Sequence, residues 1–354
     1  MASHDPDSAP LVCDDDTTSQ WLDAGGVSIP SGCSYWSGHY VGGPSDGVQV
    51  VTLRAGPFEA TICPTRGMGV LDFGRRIDRR GIAWTSPVRG PVHPGFVDLA
   101  SRGGLGWLDG FTELVARCGL SFNGPPGHDA AGPPLEQDVT LHGRIANRSA
   151  TGLRLSSDGE GLAVHGTTQE ATLFGANLVL ESSITLRPDG TLHVHDVVRN
   201  ASARDAEMQL LYHINLDPAA VGENPTLTPP AGEMQPRDAA AEAGLARWTQ
   251  IDSPTAGYAE QVFFVTPTDE VAITRLEGTA GAIEVRQSRA TLPALSLWKC
   301  FQPRADGYVL GIEPGTGFPN FKADERDAGR VVTLAAGQTQ EHSVTIAIER
   351  NDPE

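Results

Sequence analysis

"LVLESSITLRPDGTLHVHDVVRN", residues 178–200, places apolar residues at alternate positions on both sides of Asp189-Gly190. Side chains of a strand alternate between two faces, and an Asp-Gly step accepts the positive φ of a tight turn. The stretch therefore reads as two antiparallel strands joined by a hairpin. The same period continues outward, upstream in "VQVVTLRAG", "FEATICPT" and "GLAVHGTTQ", downstream in "MQLLYHINL", "QVFFVTP", "ALSLWKCFQ", "YVLGIEP" and "HSVTIAIER". With almost no helical period anywhere, the chain predicts an all-β fold of large antiparallel architecture.

Two long Gly/Pro-rich stretches interrupt this pattern. Residues 84–135 carry isolated aromatics, with Trp107, Phe111, Leu114 and Val115 spaced as one short helix turn; residues 217–247 come after the "LYHINL" strand. Loops of that length in a β domain usually cover or rim a binding cleft. No repeat and no change of composition marks a boundary, so residues 26–354 are expected to form a single domain. Residues 1–25, acidic and polar, are expected to be a flexible lead-in.

Charge narrows the partners. With 26 Lys+Arg against 44 Asp+Glu, the net charge of −18 repels nucleic acid and anionic membrane. The first twenty residues, "MASHDPDSAPLVCDDDTTSQ", lack a basic start and an apolar run, and no later stretch approaches a membrane span, so a cytoplasmic location is expected. Five widely spaced cysteines without a CxxC pair read as reduced thiols, neither a disulfide framework nor a zinc site. There is no Walker-type loop, which argues against a nucleotide-dependent transferase.

Several polar residues stand where a strand or turn would present them to a cleft. In "MQLLYHINL", Leu211, His213 and Asn215 share one face while Leu210, Tyr212, Ile214 and Leu216 share the apolar one. Glu313, before Pro314 at the end of "YVLGIEP", sits at a strand mouth where partial desolvation would raise its pKa towards a general base's range. "LHGRIAN" flanks Gly143 with His142 and Arg144, and Arg66 lies in the Gly-flanked "PTRGMG". Trp298 and Lys299 offer an indole and an ammonium. Each taken alone is equally explained as a surface histidine, a turn carboxylate, a surface arginine, or a buried Trp beside an exposed Lys. His193 and His195 form an H-x-H pair on one strand face without a third ligand nearby, so no metal site is assigned.

The ordered set "PTRGMGVLDF", "LHGR", "LYHINL" and "IEPGTGFPN", spread over roughly residues 45–348, resembles the galactose-mutarotase-like superfamily of aldose 1-epimerases, and within it the domain-of-unknown-function family 4432. The resemblance implies a β-supersandwich whose cleft binds a sugar, and a cofactor-independent isomerase. His213 would be the acid that protonates the ring oxygen and Glu313 the base that takes the anomeric proton. His142 and Arg66 would hold the sugar, with Glu260 in "YAEQVFFV" as an acidic contact; Arg144, Asn215, Trp298 and Lys299 complete the expected substrate-binding set. The rearranged surroundings of His142, and Lys299, for which such enzymes offer no role, suggest a modified sugar, keto or acidic, with Lys299 and Arg66 on its extra oxygen. Two alternatives stand beside this reading: a keto-sugar isomerase or lyase on the same scaffold, and a non-catalytic carbohydrate-binding module.

Overall fold

A computed structural model describes residues 11–14, 21–78 and 81–351. Among the described residues, two largely antiparallel sheets, one of twelve strands and one of nine, stack their apolar faces against each other. The hairpin at 178–200 forms as expected, with Leu186 opposite Leu192 and Leu178 opposite Asn200. It lies in the nine-stranded sheet, where Leu192, Val194 and Val198 enter the core while His193 and His195 face outward. Those two imidazoles stack on each other and contact Thr345 and Glu341; no group of three metal-ligating side chains occurs among the described residues.

Six strands position the buried polar groups: β1 (Val115–Leu120), β2 (Thr191–Asn200), β3 (Ala206–Leu216), β4 (Gln261–Pro267), β5 (Ala294–Phe301) and β6 (Tyr308–Gly315). β2 is the second strand of the hairpin; the others run side by side through the twelve-stranded sheet in the order β1, β3, β6, β5, β4. On β3 the alternation read from sequence holds. Leu210, Tyr212, Ile214 and Leu216 join the main core, whereas Leu211 joins a second apolar cluster with Trp84, Trp107 and Phe111 on the opposite face. The twelve-stranded sheet is therefore covered on both sides at this point, by the other sheet and by the long loop.

One polar bolt crosses the main core. The Arg117 guanidinium on β1 donates to both carboxylate oxygens of Asp196 on β2, at 2.6 and 2.9 Å, and the Tyr212 hydroxyl donates to the same carboxylate at 2.9 Å. Arg117 also donates to the carbonyls of Gly67 and Met68, so its burial leaves the charge paired.

Two expectations change. Residues 1–25 fall largely outside the described residues, yet Leu11–Asp14 pairs with Ser37–Tyr40, and Leu22–Asp23 pairs with Leu153–Arg154, so part of the lead-in is sheet edge. In the long loop, Trp107 sits in a 3-10 turn over Gly106–Gly110, but Leu114 precedes and Val115 begins β1, so the four residues do not share one helix turn. Glycines at 103, 104, 106 and 110 explain the difference, since glycine disfavours helix continuation. No helix among the described residues is long and apolar enough to cross a membrane.

Candidate active site

Antiparallel pairing of β3 with β6 matches Leu211 to Gly315 and Ile214 to Ile312, which sets His213 against Glu313 on the face turned to the loop. His213 Nε2 lies 3.3 Å from Glu313 Oε1, and both residues are buried, at 5% and 3% exposure. Gly311 makes the approach feasible: a Cβ there would meet Glu313 Oε1 at 2.7 Å and the Trp298 side chain at 3.0 Å.

The tautomer of His213 is set by its other neighbour. Asn215 commits its amide nitrogen to the carbonyls of Glu113 and His213, both at 3.0 Å, so its Oδ1 must accept from His213 Nδ1–H at 2.7 Å. Nε2 is thereby left to Glu313. Burial pulls the His213 pKa down to about 4, with the Asn215 hydrogen bond opposing, and pushes Glu313 up to about 8, where Glu260 adds to the rise and Arg237 opposes it. At neutral pH the pair holds one proton and no net charge.

Around this pair is a cavity of about 460 Å³. The long loop supplies its aromatic wall: Phe111 stands 4.9 Å from the His213 ring, Trp107 6.0 Å, and Trp298 of β5 faces them at 5.2 Å. His142, at φ 55°, hydrogen-bonds Asn123 Oδ1 through Nδ1 and brings its ring 5.6 Å from that of His213. Burial and the neighbouring His213 hold the His142 pKa well below the ordinary value. Across the cavity, Glu260 accepts from Trp298 Nε1 at 3.1 Å and from Arg237 at 2.9 Å.

Residues 45–348 match the model of DUF4432, a domain of unknown function. The chain belongs to this family. No curated protein matches the DUF4432 chain in sequence. Among solved structures it is similar to a Klebsiella pneumoniae protein proposed as an aldose 1-epimerase, with 28% identity, TM-score 0.83, and coverage of 90% of this chain and 84% of that one. Galactose mutarotase-like proteins of Clostridium acetobutylicum and Lactobacillus casei, each 15% identical, superpose with TM-scores of 0.58 and 0.56. They cover 86% and 84% of this chain and 96% and 99% of their own. The fold is that of the galactose-mutarotase-like superfamily, an antiparallel β-supersandwich.

Of the residues singled out from sequence, His213, Glu313, His142, Glu260 and Trp298 converge on the cavity of this DUF4432 protein. Four do not. Asn215 is buried behind His213 and positions it. Arg66 is also buried, its Nε bonded to Glu113 and its Nη1 donating to Val92 O and Asn147. It steadies the segment whose Glu113 carbonyl holds Asn215. Arg144 is tied to Glu136, Glu170 and Thr172 outside the cavity. Lys299 comes directly after Trp298 on β5 and so faces the opposite way, over the Phe263 and Phe301 rings, with its ammonium on the Arg247 carbonyl. With Lys299 and Arg66 both outside the cavity, neither binds an extra carbonyl or carboxylate oxygen of a sugar held there.

Sequence reading passed over Trp84, Asn123 and Arg237. Arg237 belongs to the second long loop, directly before Asp238, which caps a short helix. Nothing in "QPRDAAAEAG" distinguishes it from an ordinary surface arginine.

Proposed function

We propose that the protein is a cofactor-independent sugar isomerase of the aldose 1-epimerase type, exchanging the anomers of a reducing sugar. The observation that carries this reading is the His213–Glu313 pair, 3.3 Å apart on the floor of a cavity walled by aromatic rings. Anomer exchange needs one donor and one acceptor on either side of a hemiacetal, and a pair that shares a single proton supplies both.

The proton count balances through the cycle. A bound sugar that accepts from Nε2–H at its ring oxygen and donates its anomeric O–H to the carboxylate favours the ion-pair form, because each charged group then gains a hydrogen bond. Ring opening moves the anomeric proton to Glu313 and the Nε2 proton to the ring oxygen, breaking the C1–O bond. The resulting aldehyde sits beside neutral His213 and protonated Glu313, the state that burial already favours in the empty cleft. Rotation about C1–C2 and the reverse transfers close the ring with either configuration. Trp298 and the loop aromatics offer stacking faces to the sugar's C–H surface, while Glu260, Arg237 and His142 offer hydrogen bonds to its hydroxyls.

The test is proton NMR exchange between anomer signals of a panel of aldoses, with all C–H signals retained in deuterium oxide. No acceleration over the buffer rate for any aldose would refute the reading. A bell-shaped pH dependence of kcat/KM is expected, rising as His213 loses its proton near 4 and falling as Glu313 loses its own near 8. A single limb near an ordinary histidine's 6.5 would instead remove the shared-proton mechanism.

Asn215→Ala provides a finer check. Releasing the imidazole costs roughly 10- to 100-fold in kcat, as loss of a positioning partner typically does. It also moves the acidic limb lower, because the Asn215 hydrogen bond raises the His213 pKa. Unchanged kcat with an unmoved limb would mean that Asn215 does not set the tautomer.

A further inference from the structure

The cavity is larger and more apolar than a simple sugar requires. A hexose, at roughly 20 Å³ for each of about a dozen close-packed non-hydrogen atoms, fills only about half of the 460 Å³. Beyond the aromatic faces that stack on a sugar ring, the lining continues into aliphatic side chains. Besides Trp84, Trp107, Phe111 and Trp298, it includes Leu105 and Leu108, which are 36% and 44% exposed at the edge of the loop turn. Adjacent apolar side chains left in water at a cavity rim gain free energy when an apolar ligand group covers them.

Charge points the same way. Arg237 is the one cation lining the cavity among the described residues, and it already donates to Glu260 and Asp238. Glu260 and Asp306 add carboxylates to the lining. An acidic or phosphorylated sugar would meet net negative charge without a free cation to bind it.

Resting on the mutarotase reading for where C1 sits, we infer that the natural substrate is a neutral reducing sugar carrying an apolar group, alkyl or aryl, at the end of the ring away from C1. The hemiacetal reaches the buried His213–Glu313 floor, and the apolar group lies on Leu105 and Leu108 at the rim. No covalent chemistry is required of that group.

The experiment compares D-glucose and D-galactose with their 4-O-benzyl and 6-O-benzyl ethers, using NMR anomer exchange for turnover and tryptophan fluorescence titration for binding. At least one ether should show a kcat/KM about tenfold or more above its parent sugar, since burying an aryl group is worth at least that factor. Leu105→Asn with Leu108→Asn, exposed positions outside the proposed acid/base pair, should erase the raised ratio of ether to parent-sugar kcat/KM. Ethers exchanged no faster than parent sugars, or an advantage that survives the double variant, would overturn the inference while leaving the mutarotase reading intact. Conversely, with no exchange of any sugar, tighter binding of an ether than its parent that is lost in the double variant would uphold the apolar subsite and overturn the mutarotase reading. Failure of every ether to bind would overturn the subsite.

Discussion

Glu313→Gln and His213→Ala should each lower kcat for anomer exchange by roughly 10²–10⁴-fold, the range that a positioned general acid or base contributes, with both variants remaining folded. The double variant loses little more than either single one, because a donor without its acceptor turns over no better than neither. Glu313→Gln should also alter stability in a way that only a buried, protonated carboxyl explains. The unfolded chain loses this proton near 4.5, but burial keeps it on the native protein up to about 8. Between those values the unfolded state binds fewer protons than the native state, so native stability falls as pH rises, by on the order of 4 kcal/mol at pH 8. Glutamine removes that dependence. The unfolding free energy of the variant, measured by urea titration, should therefore gain on the wild type steadily from about pH 4.5 to about pH 8. A difference that stays flat over this window would show that Glu313 is ionised in the native cleft, and the shared-proton cycle would fail with it.

The juxtaposition of the two proposed acid/base residues was legible in part because both lie on strands. Period two alone assigns His213 to the face opposite Leu210, Tyr212 and Ile214, and Glu313 ends a strand of the same pattern. What alternation cannot supply is the neighbour across a loop. Lys299 illustrates this: its parity relative to Trp298 excluded it from the indole's face, but which face lines a cavity depends on the loop that covers the sheet. Arg66 and Arg144 misled for a different reason. The Arg66 guanidinium is buried on Glu113, 47 residues away in sequence, and the half-buried Arg144 is held between Glu136 and Glu170, pairings that strand periodicity does not disclose. Trp107 and Phe111 lay in a stretch recognisable as a cover, yet only the folded loop sets Phe111 4.9 Å from the His213 ring.

Asp196→Ala should lower the unfolding free energy by about 3–5 kcal/mol, because it strands the Arg117 guanidinium in a core where that side chain and its partner have no exposure. Tyr212 loses its acceptor in the same step. Replacing Arg117 with leucine, Asp196 with valine and Tyr212 with phenylalanine should recover part of the loss, since apolar side chains of closer volume remove the orphaned charge while the Gly67 and Met68 carbonyls lose a donor. The same series tests whether residues 26–354 form one cooperative domain, as we propose. Arg117 belongs to the twelve-stranded sheet and Asp196 to the nine-stranded one, so damage at the bolt is felt by both. In one domain the urea curve moves as a single transition to lower concentration, with fluorescence and circular dichroism coincident. Two separated transitions in Asp196→Ala would mean that the sheets fold as independent units, and the bolt would then be a clamp between domains. Since His213 and Glu313 both stand on the twelve-stranded sheet, anomer exchange surviving the first of two such transitions would show that the site needs only that sheet and its covering loop.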